Sequence, residues 1–322
     1  MLSEFELIRR YFTHPAPHTR LGVGDDGAVV RLRRDMELVV STDMLVSGRH
    51  FFPGAAPRQL GHKALAVNLS DMAAMGATAR WATLSLALPR AEPSWLRAFA
   101  AGFMQLARRH GVDLIGGDTT RGPLALCVQI LGEVPAGQAL TRGGARAGDE
   151  IWVSGQLGDA ALALAALKRR LKLSRRELAK VQPRLHVPTP RVALGAALRK
   201  IAHSAIDVSD GLCADLGHIC ERSRVTAMVE FDRLPVSPVM KRHLGRAAAR
   251  AAVLAGGDDY ELCFTAGPAR RQAVLNAARR AGVKVTLIGR VQAATPRHAA
   301  VTVLDGDGRP MKLAHGGFDH FR

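Results

Sequence analysis

The sequence has few of the features that mark secreted, membrane-spanning or disulfide-bonded proteins. Its first ten residues have the pattern of a short amphipathic helix rather than the positive-then-apolar order of a signal peptide, and no apolar run is long enough to span a bilayer. The chain has only four cysteines in 322 residues and no Cys-x-x-Cys pair. These features indicate reduced thiols, so we expect a cytoplasmic protein without a membrane partner.

Aromatic residues are also scarce, at 5% of the chain, although the formal net charge is +17. A charge of this size raises nucleic acid as a partner. The basic residues, however, are spread through predicted helical stretches such as residues 168–180 and 270–280, with no aromatic platform for base stacking. They indicate solvated helix faces. A basic nucleic-acid-binding protein, with aspartates that merely cap turns, is the less favoured alternative.

The usual nucleotide-binding motifs are missing. No Gly-x-x-x-x-Gly-Lys-Ser/Thr segment occurs, which excludes a P-loop site. Residues 22–27 match the dinucleotide pattern Gly-x-Gly-x-x-Gly, but a proline-containing loop precedes them and the strand-like residues 28–30 follow. Because that motif requires a strand before it and a helix after it, we reject the match. Glycines beside Asp25 and Asp26 suit a cation site better.

Aspartates recur in short motifs of this otherwise basic chain. Residues 60–77 favour a helix, and helical spacing places Asp71 on one face with Leu60, Ala64 and Val67. A lone carboxylate in such an apolar stripe must be protonated, paired or bound to a cation, because its burial is costly. We therefore expect Asp71 to have a partner.

Other aspartates follow predicted strands. Asp43 and Asp118 are predicted to stand where apolar strands end, and residues 207–211 (Asp-Val-Ser-Asp-Gly) repeat this arrangement. Carboxylates at one rim of a sheet repel each other, and a hard cation relieves that repulsion. Aspartate, hydroxyl and water oxygens are the ligands that Mg²⁺ prefers. Backbone N–H groups at Gly116 and Gly117 are open to phosphate oxygens.

Six short segments follow one another along nearly the whole chain. They are residues 22–26 (Gly-Val-Gly-Asp-Asp), 41–43 (Ser-Thr-Asp), 68–76 (Asn-Leu-Ser-Asp-Met-Ala-Ala-Met-Gly), 116–120 (Gly-Gly-Asp-Thr-Thr), 207–212 (Asp-Val-Ser-Asp-Gly-Leu) and 256–262 (Gly-Gly-Asp-Asp-Tyr-Glu-Leu). In this order they resemble the thiamine-monophosphate kinase family of the aminoimidazole-ribonucleotide-synthetase-like superfamily. The nearest alternative is an enzyme similar to aminoimidazole ribonucleotide synthetase, although residues 68–76 match the kinases better.

The resemblance implies a fold and a reaction. It implies an α/β domain over residues 1–137 that binds ATP and metal and forms a homodimer through its sheet, followed by an α+β domain over residues 138–322. The implied enzyme uses ATP to phosphorylate thiamine monophosphate to thiamine diphosphate, by in-line transfer with several Mg²⁺ ions. Neither nucleic acid nor a membrane is an implied partner.

The resemblance also implies roles for individual residues. The implied metal ligands are Asp26, Ser41, Thr42, Asp43, Asp71, Asp118, Asp207 and Asp210. ATP would be held by Gly117, Asp118, Arg142 and Ser209, and the catalytic set would be Asp43, Asp71, Asp118 and Arg142. The implied substrate-binding residues are His50, Asp258 and His315. Asp258 stands where the family has a glutamate, and His315 aligns with a position that is often aromatic.

The reaction itself fits this residue inventory. A phosphate monoester has a second pKa of ~6, so the attacking phosphate is already mostly a dianion at neutral pH and needs no general base. The obstacle is the approach of two polyanions, since two like charges ~4 Å apart repel by roughly 4 kcal/mol at an effective dielectric constant of ~20. Many aspartates that hold cations, and no catalytic triad, are what such a reaction requires.

Overall fold

The computed structural model describes residues 4–294 and 300–311. Contacts within the chain divide it into two compact units. The first comprises the residues up to 137 except 73–76, and the second comprises residues 73–76 together with the chain from residue 138 onward. Helices and sheets occur in both units, which confirms the predicted combination of α/β and α+β structure.

The first unit is built on a four-stranded sheet with the strand order β3-β6-β4-β5. Strand β4 pairs with β5 in parallel, whereas β3 and β4 both pair with β6 in antiparallel. A small hairpin, β1-β2, is separate from this sheet. In chain order the elements are α1 (Glu4–Tyr11), β1 (Thr19–Leu21), β2 (Val29–Val30), β3 (Met36–Val46), α2 (Pro57–Ala74), β4 (Thr78–Leu88), α3 (Pro93–His110), β5 (Asp113–Arg121) and β6 (Ala125–Pro135).

Helix α3 shows how local sequence sets an element's limits. Pro93 occupies the first turn, where its missing N–H is not needed, and Gly111 ends the helix with a left-handed φ of 63°. Between these residues Phe99 and Phe103 are fully buried and stack on one another, with ring centroids 6.4 Å apart. The predicted helix over residues 93–110 is confirmed.

Two strands of this sheet are longer than the sequence suggested. Strand β3 pairs with β6 along its whole length, from Met36 opposite Pro135 to Val46 opposite Ala125. Strand β5 likewise continues to Arg121. Asp43 and Asp118 therefore lie within strands, and the prediction that strand ends carry them to a rim of the sheet was wrong. A ladder is held by backbone groups, so a polar Ser-Thr-Asp triplet does not interrupt it when apolar residues follow.

The second unit contains a six-stranded sheet with the order β12-β9-β11-β7-β10-β8. Neighbouring strands pair in antiparallel, apart from the parallel pair β12-β9. Its strands are β7 (Glu150–Ser154), β8 (Ser204–Asp207), β9 (Val225–Glu230), β10 (Leu262–Ala266), β11 (Val285–Ala293) and β12 (Val301–Leu304). Its helices are α4 (Asp159–Leu167), α5 (Arg175–His186), α6 (Val192–Leu198), α7 (Leu212–Ser223), α8 (Pro238–His243), α9 (Ala247–Ala255) and α10 (Arg271–Arg280).

The basic stretch at residues 168–180 is only partly helical. Helix α5 begins at Arg175, because the Ser174 hydroxyl accepts the N–H of Glu177 while the Glu177 carboxylate accepts the N–H of Ser174. Residues 168–173 lie outside a helix. The capping box, rather than the run of basic residues, sets where this helix begins.

The thiols and the helices agree with the absences noted in the sequence. All four cysteines are free, and burial raises the pKa of Cys213 to about 12 and that of Cys220 to about 11, so both thiols stay protonated at neutral pH. Among the helices of the described residues, none combines the length and the apolar character needed to cross a membrane.

Candidate active site

An acidic loop and strand β5 line one cavity of the first unit. The loop joins β1 to β2 and carries Asp25 and Asp26, and both of these residues line the cavity together with Gly117 and Asp118. The cavity has a volume of about 580 Å³. The structure thus brings together two of the predicted metal ligands, Asp26 and Asp118, from segments that are far apart in sequence.

Gly117 makes a close approach that no other residue allows. Its φ is 143°, and a Cβ atom at this position would lie 1.9 Å from the carbonyl oxygen of Leu84 on the neighbouring strand. A side chain would therefore force the two strands apart. Glycine here leaves the backbone of β5 open to the cavity, beside Asp118.

Asp71 lies on α2 with Leu60, Ala64 and Val67, all of which are buried. The Ser41 hydroxyl donates a hydrogen bond of 2.5 Å to Asp71 Oδ2. This contact brings together two predicted metal ligands and confirms the expectation that Asp71 has a partner. A hydroxyl beside a carboxylate is a pair of oxygen donors of the kind that Mg²⁺ accepts.

The other residues of the Ser41 triplet do not all share this position. Side chains alternate along β3, so Ser41 and Asp43 lie on the face that also carries the buried Val39 and Leu45. Thr42 is exposed on the opposite face. The structure therefore does not bring the Thr42 side chain to Asp71.

His50 belongs to a tight turn that follows β3. The backbone N–H of Val46 donates to His50 Nδ1 at 2.9 Å, so the proton of the neutral ring resides on Nε2. The Lys63 ammonium lies 3.5 Å from the His50 carbonyl oxygen. The hydrogen bond from Val46 orients the ring, as a substrate-contacting histidine would require. The predicted role of His50 stays a prediction.

In the second unit, two motif loops are hydrogen-bonded to one another. The N–H of Asp258 donates to the carbonyl of Ser209 at 2.9 Å, and the N–H of Tyr260 donates to the carbonyl of Val208 at 2.8 Å. The N–H of Val208 in turn donates to the carbonyl of Glu261, also at 2.8 Å. The structure therefore brings Asp258 beside the loop that holds Ser209, Asp207 and Asp210.

Asp215 is a residue of this region that the sequence reasoning missed. Its Oδ2 atom accepts the N–H groups of Ser209, Asp210 and Gly211 at 3.1, 3.1 and 3.0 Å. Burial, reinforced by the charges of Asp207 and Asp210, raises the pKa of Asp215 to about 7. An acidic residue in the first turn of α7 was the available signal, since such residues bind free N–H groups at helix starts.

Glu261 was also missed, and it anchors the loop that carries Asp258. It is 1% exposed and accepts hydrogen bonds from Ser154 Oγ at 2.6 Å and from Arg191, which contacts both carboxylate oxygens. A guanidinium nitrogen of Arg184 lies 3.7 Å from Oε1 of the same Glu261 carboxylate. The available signal was an acidic residue immediately before an apolar strand. The interpretation of this segment as a turn did not use that signal.

Asp259, next to Asp258, is buried as well. Its Oδ2 atom accepts the N–H of Gly158 at 2.8 Å, which fixes the loop to the start of α4. Burial, with the nearby charges of Glu261 and Asp159, raises the pKa of Asp259 well above its ordinary value. This carboxyl therefore serves the loop's structure, and Asp258 is the more accessible acidic residue of the pair.

Arg142 lies apart from Ser209 in the second unit. The carbonyl of Arg142 accepts a hydrogen bond of 3.1 Å from Ser223 at the last residue of α7, whereas Ser209 precedes the first turn of that 12-residue helix, which is about 18 Å long. The structure thus places the Arg142 backbone at the opposite end of α7 from Ser209. His315 lies outside the described residues.

The oxygen donors of the described residues fit Mg²⁺ in small groups rather than in one large cluster. Within residues 4–294 and 300–311, no group of three or more His, Cys, Asp or Glu side chains is close enough to hold a metal ion. Mg²⁺ usually takes only one or two carboxylates and completes its octahedron with waters and substrate phosphates. Asp26 with Asp118 at one cavity, and Ser41 with Asp71, fit that mode of binding.

Comparison with known proteins gives consistent matches along the chain. Residues 24–134 match the family model of the AIR synthase related protein N-terminal domain, and residues 146–299 match that of the C-terminal domain. The thiamine-monophosphate kinase of Salmonella typhimurium is 46% identical, over 99% of this chain and 98% of that protein.

Two solved structures share the fold at useful identity. The crystal structure of thiamine-monophosphate kinase from Stenotrophomonas maltophilia has a TM-score of 0.84 and 48% identity, covering 92% of this chain and 93% of that one. The structure of AaThiL complexed with AMPPCP and TMP has a TM-score of 0.77 and 31% identity, covering 93% and 92% of the two chains.

Proposed function

The chain belongs to the thiamine-monophosphate kinase family of AIR synthase related proteins, and we propose that it transfers the γ-phosphoryl group of ATP to thiamine monophosphate, with thiamine diphosphate and ADP as products. The observation that carries this proposal is the 46% identity to a curated kinase over 99% of this chain. The complex of the relative AaThiL with AMPPCP and TMP supports the same pair of substrates.

Phosphoryl transfer to thiamine monophosphate requires the protein to position the two phosphates and to offset their charge. It does not require a general base. At neutral pH the phosphate of the acceptor is mostly a dianion, because its second pKa is ~6, and it can attack the γ-phosphorus directly. In-line attack requires that the two phosphates be held together in spite of their charges. Oriented oxygen donors and cationic side chains are the groups that can do this.

We assign Mg²⁺ binding to three sets of residues. In the first unit, Asp26 and Asp118 line one cavity, and Ser41 and Asp71 form a pair, with Asp43 on the same face of β3 as Ser41. Thr42 belongs to this set by its position between Ser41 and Asp43, although its side chain lies on the opposite face of the strand. In the second unit, the set is Asp207 and Asp210. When bound, Mg²⁺ ions neutralise phosphate charge and orient the phosphoryl oxygens. The protein's part is to present carboxylates at fixed positions on β3, α2 and β5.

We assign ATP binding to Gly117 and Asp118 in the first unit and to Arg142 and Ser209 in the second. Gly117 lines the same cavity as Asp118, and its lack of a side chain supports close approach of a phosphate oxygen to the backbone. The N–H of Ser209 donates to Asp215 Oδ2 at 3.1 Å, so the Ser209 hydroxyl extends from a fixed backbone.

We assign binding of thiamine monophosphate to His50 and Asp258, with His315 as a third candidate outside the described residues. The Tyr260 hydroxyl donates to Asp258 Oδ1 at 3.3 Å, which orients the carboxylate. The thiazolium ring carries a positive charge, so a partly exposed carboxylate is a suitable partner for it. Asp258 is one methylene shorter than the family's glutamate, which limits its reach.

We further infer a homodimer formed through the sheet of the first unit. Leu38, Val40 and Met44 share one face of β3 and are 43%, 50% and 60% exposed. An apolar row of this kind on an open sheet face is typical of a surface that pairs with another subunit.

The free cysteines support a cytoplasmic location.

The reaction can be tested with three parallel incubations of the pure protein with Mg-ATP. We expect thiamine diphosphate to form from thiamine monophosphate, and none to form from unphosphorylated thiamine or when EDTA is added. Products are separated by chromatography. Turnover of thiamine itself, or of neither substrate, would refute the substrate assignment. ATP cleavage without a phosphorylated thiamine product would favour an enzyme similar to aminoimidazole ribonucleotide synthetase.

A further inference from the structure

A second cavity of the first unit is lined by cationic side chains. It has a volume of about 490 Å³ and is lined by Pro17, His18, Thr19, Arg20 and Arg31. These residues belong to the β1-β2 hairpin and the residues beside it. Among the residues that the structure describes, the lining contains two guanidinium groups and one imidazole but no carboxylate, and none of these residues lines the cavity of Asp26 and Asp118.

The floor of this cavity is fixed to the core of the unit. The N–H of His18 and the hydroxyl of Thr19 each donate to Asp113 Oδ2 at 2.7 Å. The indole N–H of Trp81 donates to the His18 carbonyl at 3.0 Å. Asp113 and Trp81 are both buried, so the backbone that carries the imidazole is held in place before any ligand arrives.

The three basic side chains line one cavity beside the hairpin. Thr19 pairs with Val30, so His18 and Arg31 follow as the next opposed positions of the antiparallel ribbon. The strand pairing shifts by one residue between Thr19 and Leu21, so Arg20 lies at an irregularity of the ribbon. Within the described residues, neither Arg20 nor Arg31 makes an ion pair or a hydrogen bond through its side chain, whereas Arg33 nearby is paired with Glu133.

We propose that His18, Arg20 and Arg31 form a binding site for a small phosphate-bearing anion, with a phosphate or diphosphate group as the recognised moiety. Guanidinium groups present paired N–H donors whose spacing matches phosphate oxygens. Two such groups on one wall repel each other, and an anion relieves that repulsion. A nucleic-acid strand fits less well, because the lining among the described residues has no Phe, Tyr or Trp ring on which a base could stack.

Anion binding at this site should restrain the acidic loop that carries Asp25 and Asp26. Arg20 and Arg31 lie on the two arms of the hairpin whose connection, residues 22–28, carries Asp25 and Asp26. An anion that contacts both arginines links the two arms at the base of the loop. Its binding restrains residues 22–28, and amide hydrogen exchange in this segment slows when the anion is present.

The experiment measures binding by calorimetry to the full chain with EDTA present, so that metal-dependent binding elsewhere is absent. Inorganic phosphate and inorganic pyrophosphate are the two probes. We expect Arg20→Gln and Arg31→Gln each to weaken binding by about 10-fold, because each removes one charge-assisted donor group. Tighter binding of pyrophosphate identifies a diphosphate group as the recognised moiety, and equal binding identifies a single phosphate.

Arg34→Gln is the matched control. This substitution removes the same charge as Arg20→Gln or Arg31→Gln. The Arg34 side chain, however, is almost fully exposed and does not line the cavity. We expect its effect to stay below about 2-fold. An equal loss in Arg34→Gln, an unchanged affinity in Arg20→Gln and Arg31→Gln, or no binding at millimolar probe overturns the proposal.

Discussion

The hydroxyl of Ser41 lies 2.5 Å from Oδ2 of Asp71 and joins the middle of β3 to the last turn of α2. The carboxylate stands on a helix face whose other members, Leu60, Ala64 and Val67, are buried. One hydroxyl donor satisfies one of several acceptor positions of an ionised carboxylate. This hydrogen bond therefore fixes the orientation of the Asp71 carboxylate.

Asp71→Asn should leave the fold intact and remove most of the activity. The amide is nearly isosteric and its oxygen can still accept the Ser41 hydrogen bond, but it carries no charge for Mg²⁺. We expect kcat to fall by about 100-fold, comparable to the loss of one preorganised electrostatic group. Steady-state kinetics and circular dichroism check this. Glu92→Gln, an exposed acidic residue before α3, should keep full activity; unchanged turnover in Asp71→Asn would return Asp71 to a structural role.

Arg191→Met should destabilise the second unit. It leaves the Glu261 carboxylate buried with Ser154 and the more distant Arg184 as its remaining partners. Removing one partner of a buried ion pair costs about 3 kcal/mol or more, so thermal unfolding should begin several degrees lower. Arg233→Met removes a pair whose members are both about half exposed, and its cost should stay below about 1 kcal/mol. Equal melting temperatures for the two variants would contradict this.

The elements that local sequence dictates were predictable. Pro93 and Gly111 delimit α3 by their backbone preferences alone, and the rejection of a dinucleotide site at residues 22–27 holds because a short strand, β2, follows the loop. Pairing partners were not predictable. The sequence around Ser41 is typical of a strand end, and only the pairing of β3 with β6 extends the strand beyond it. The sequence around Glu261 is typical of a turn, and only the contact with Arg191 from another segment gives Glu261 its structural role. Both depend on contacts that no single segment encodes.

Asp215 should make stability fall as the pH rises. Burial raises the pKa of Asp215 to about 7 in the folded protein, against ~3.9 for an unfolded aspartate. Between these values the folded state holds more protons than the unfolded state, so its contribution to stability is complete below pH ~4 and is lost as the pH approaches ~7. From pH 5 to pH 8 this loss is on the order of 2 kcal/mol.

The measurement is the difference in unfolding free energy between the protein and Asp215→Asn, taken at pH 5 and at pH 8. The asparagine oxygen can still accept N–H groups of residues 209–211 but does not titrate in this range. The advantage of the unaltered protein over the variant should shrink with rising pH. Asp35→Asn, whose side chain is almost fully exposed, should show no such trend. A difference for Asp215→Asn that does not depend on pH would contradict the expectation.

Asp258→Asn should raise the KM for thiamine monophosphate and leave kcat nearly unchanged. Asp258 has a φ of 70°, a left-handed conformation that asparagine adopts as readily as aspartate, so the loop should keep its shape. What the variant loses is the charge that attracts the thiazolium ring, and we expect about a 10-fold higher KM. The KM for ATP should not move. Asp307→Asn is the exposed control, and a fall in kcat alone would argue for a role in the phosphoryl transfer instead.

Val40→Lys combined with Met44→Lys should produce monomers if the exposed face of β3 is the dimer interface. The two side chains are 50% and 60% exposed and stand on the same face as Leu38, so lysine can be accommodated in an isolated unit without loss of its core. Two buried charges facing their symmetry mates would disfavour association, since an isologous contact repeats each change on both subunits. Light scattering after size-exclusion chromatography measures the mass. Leu275→Lys, an exposed apolar residue on α10, is the control and should keep the mass of the unaltered protein. A double variant that remains dimeric, or an unaltered protein that is already monomeric, would assign this apolar face to another purpose.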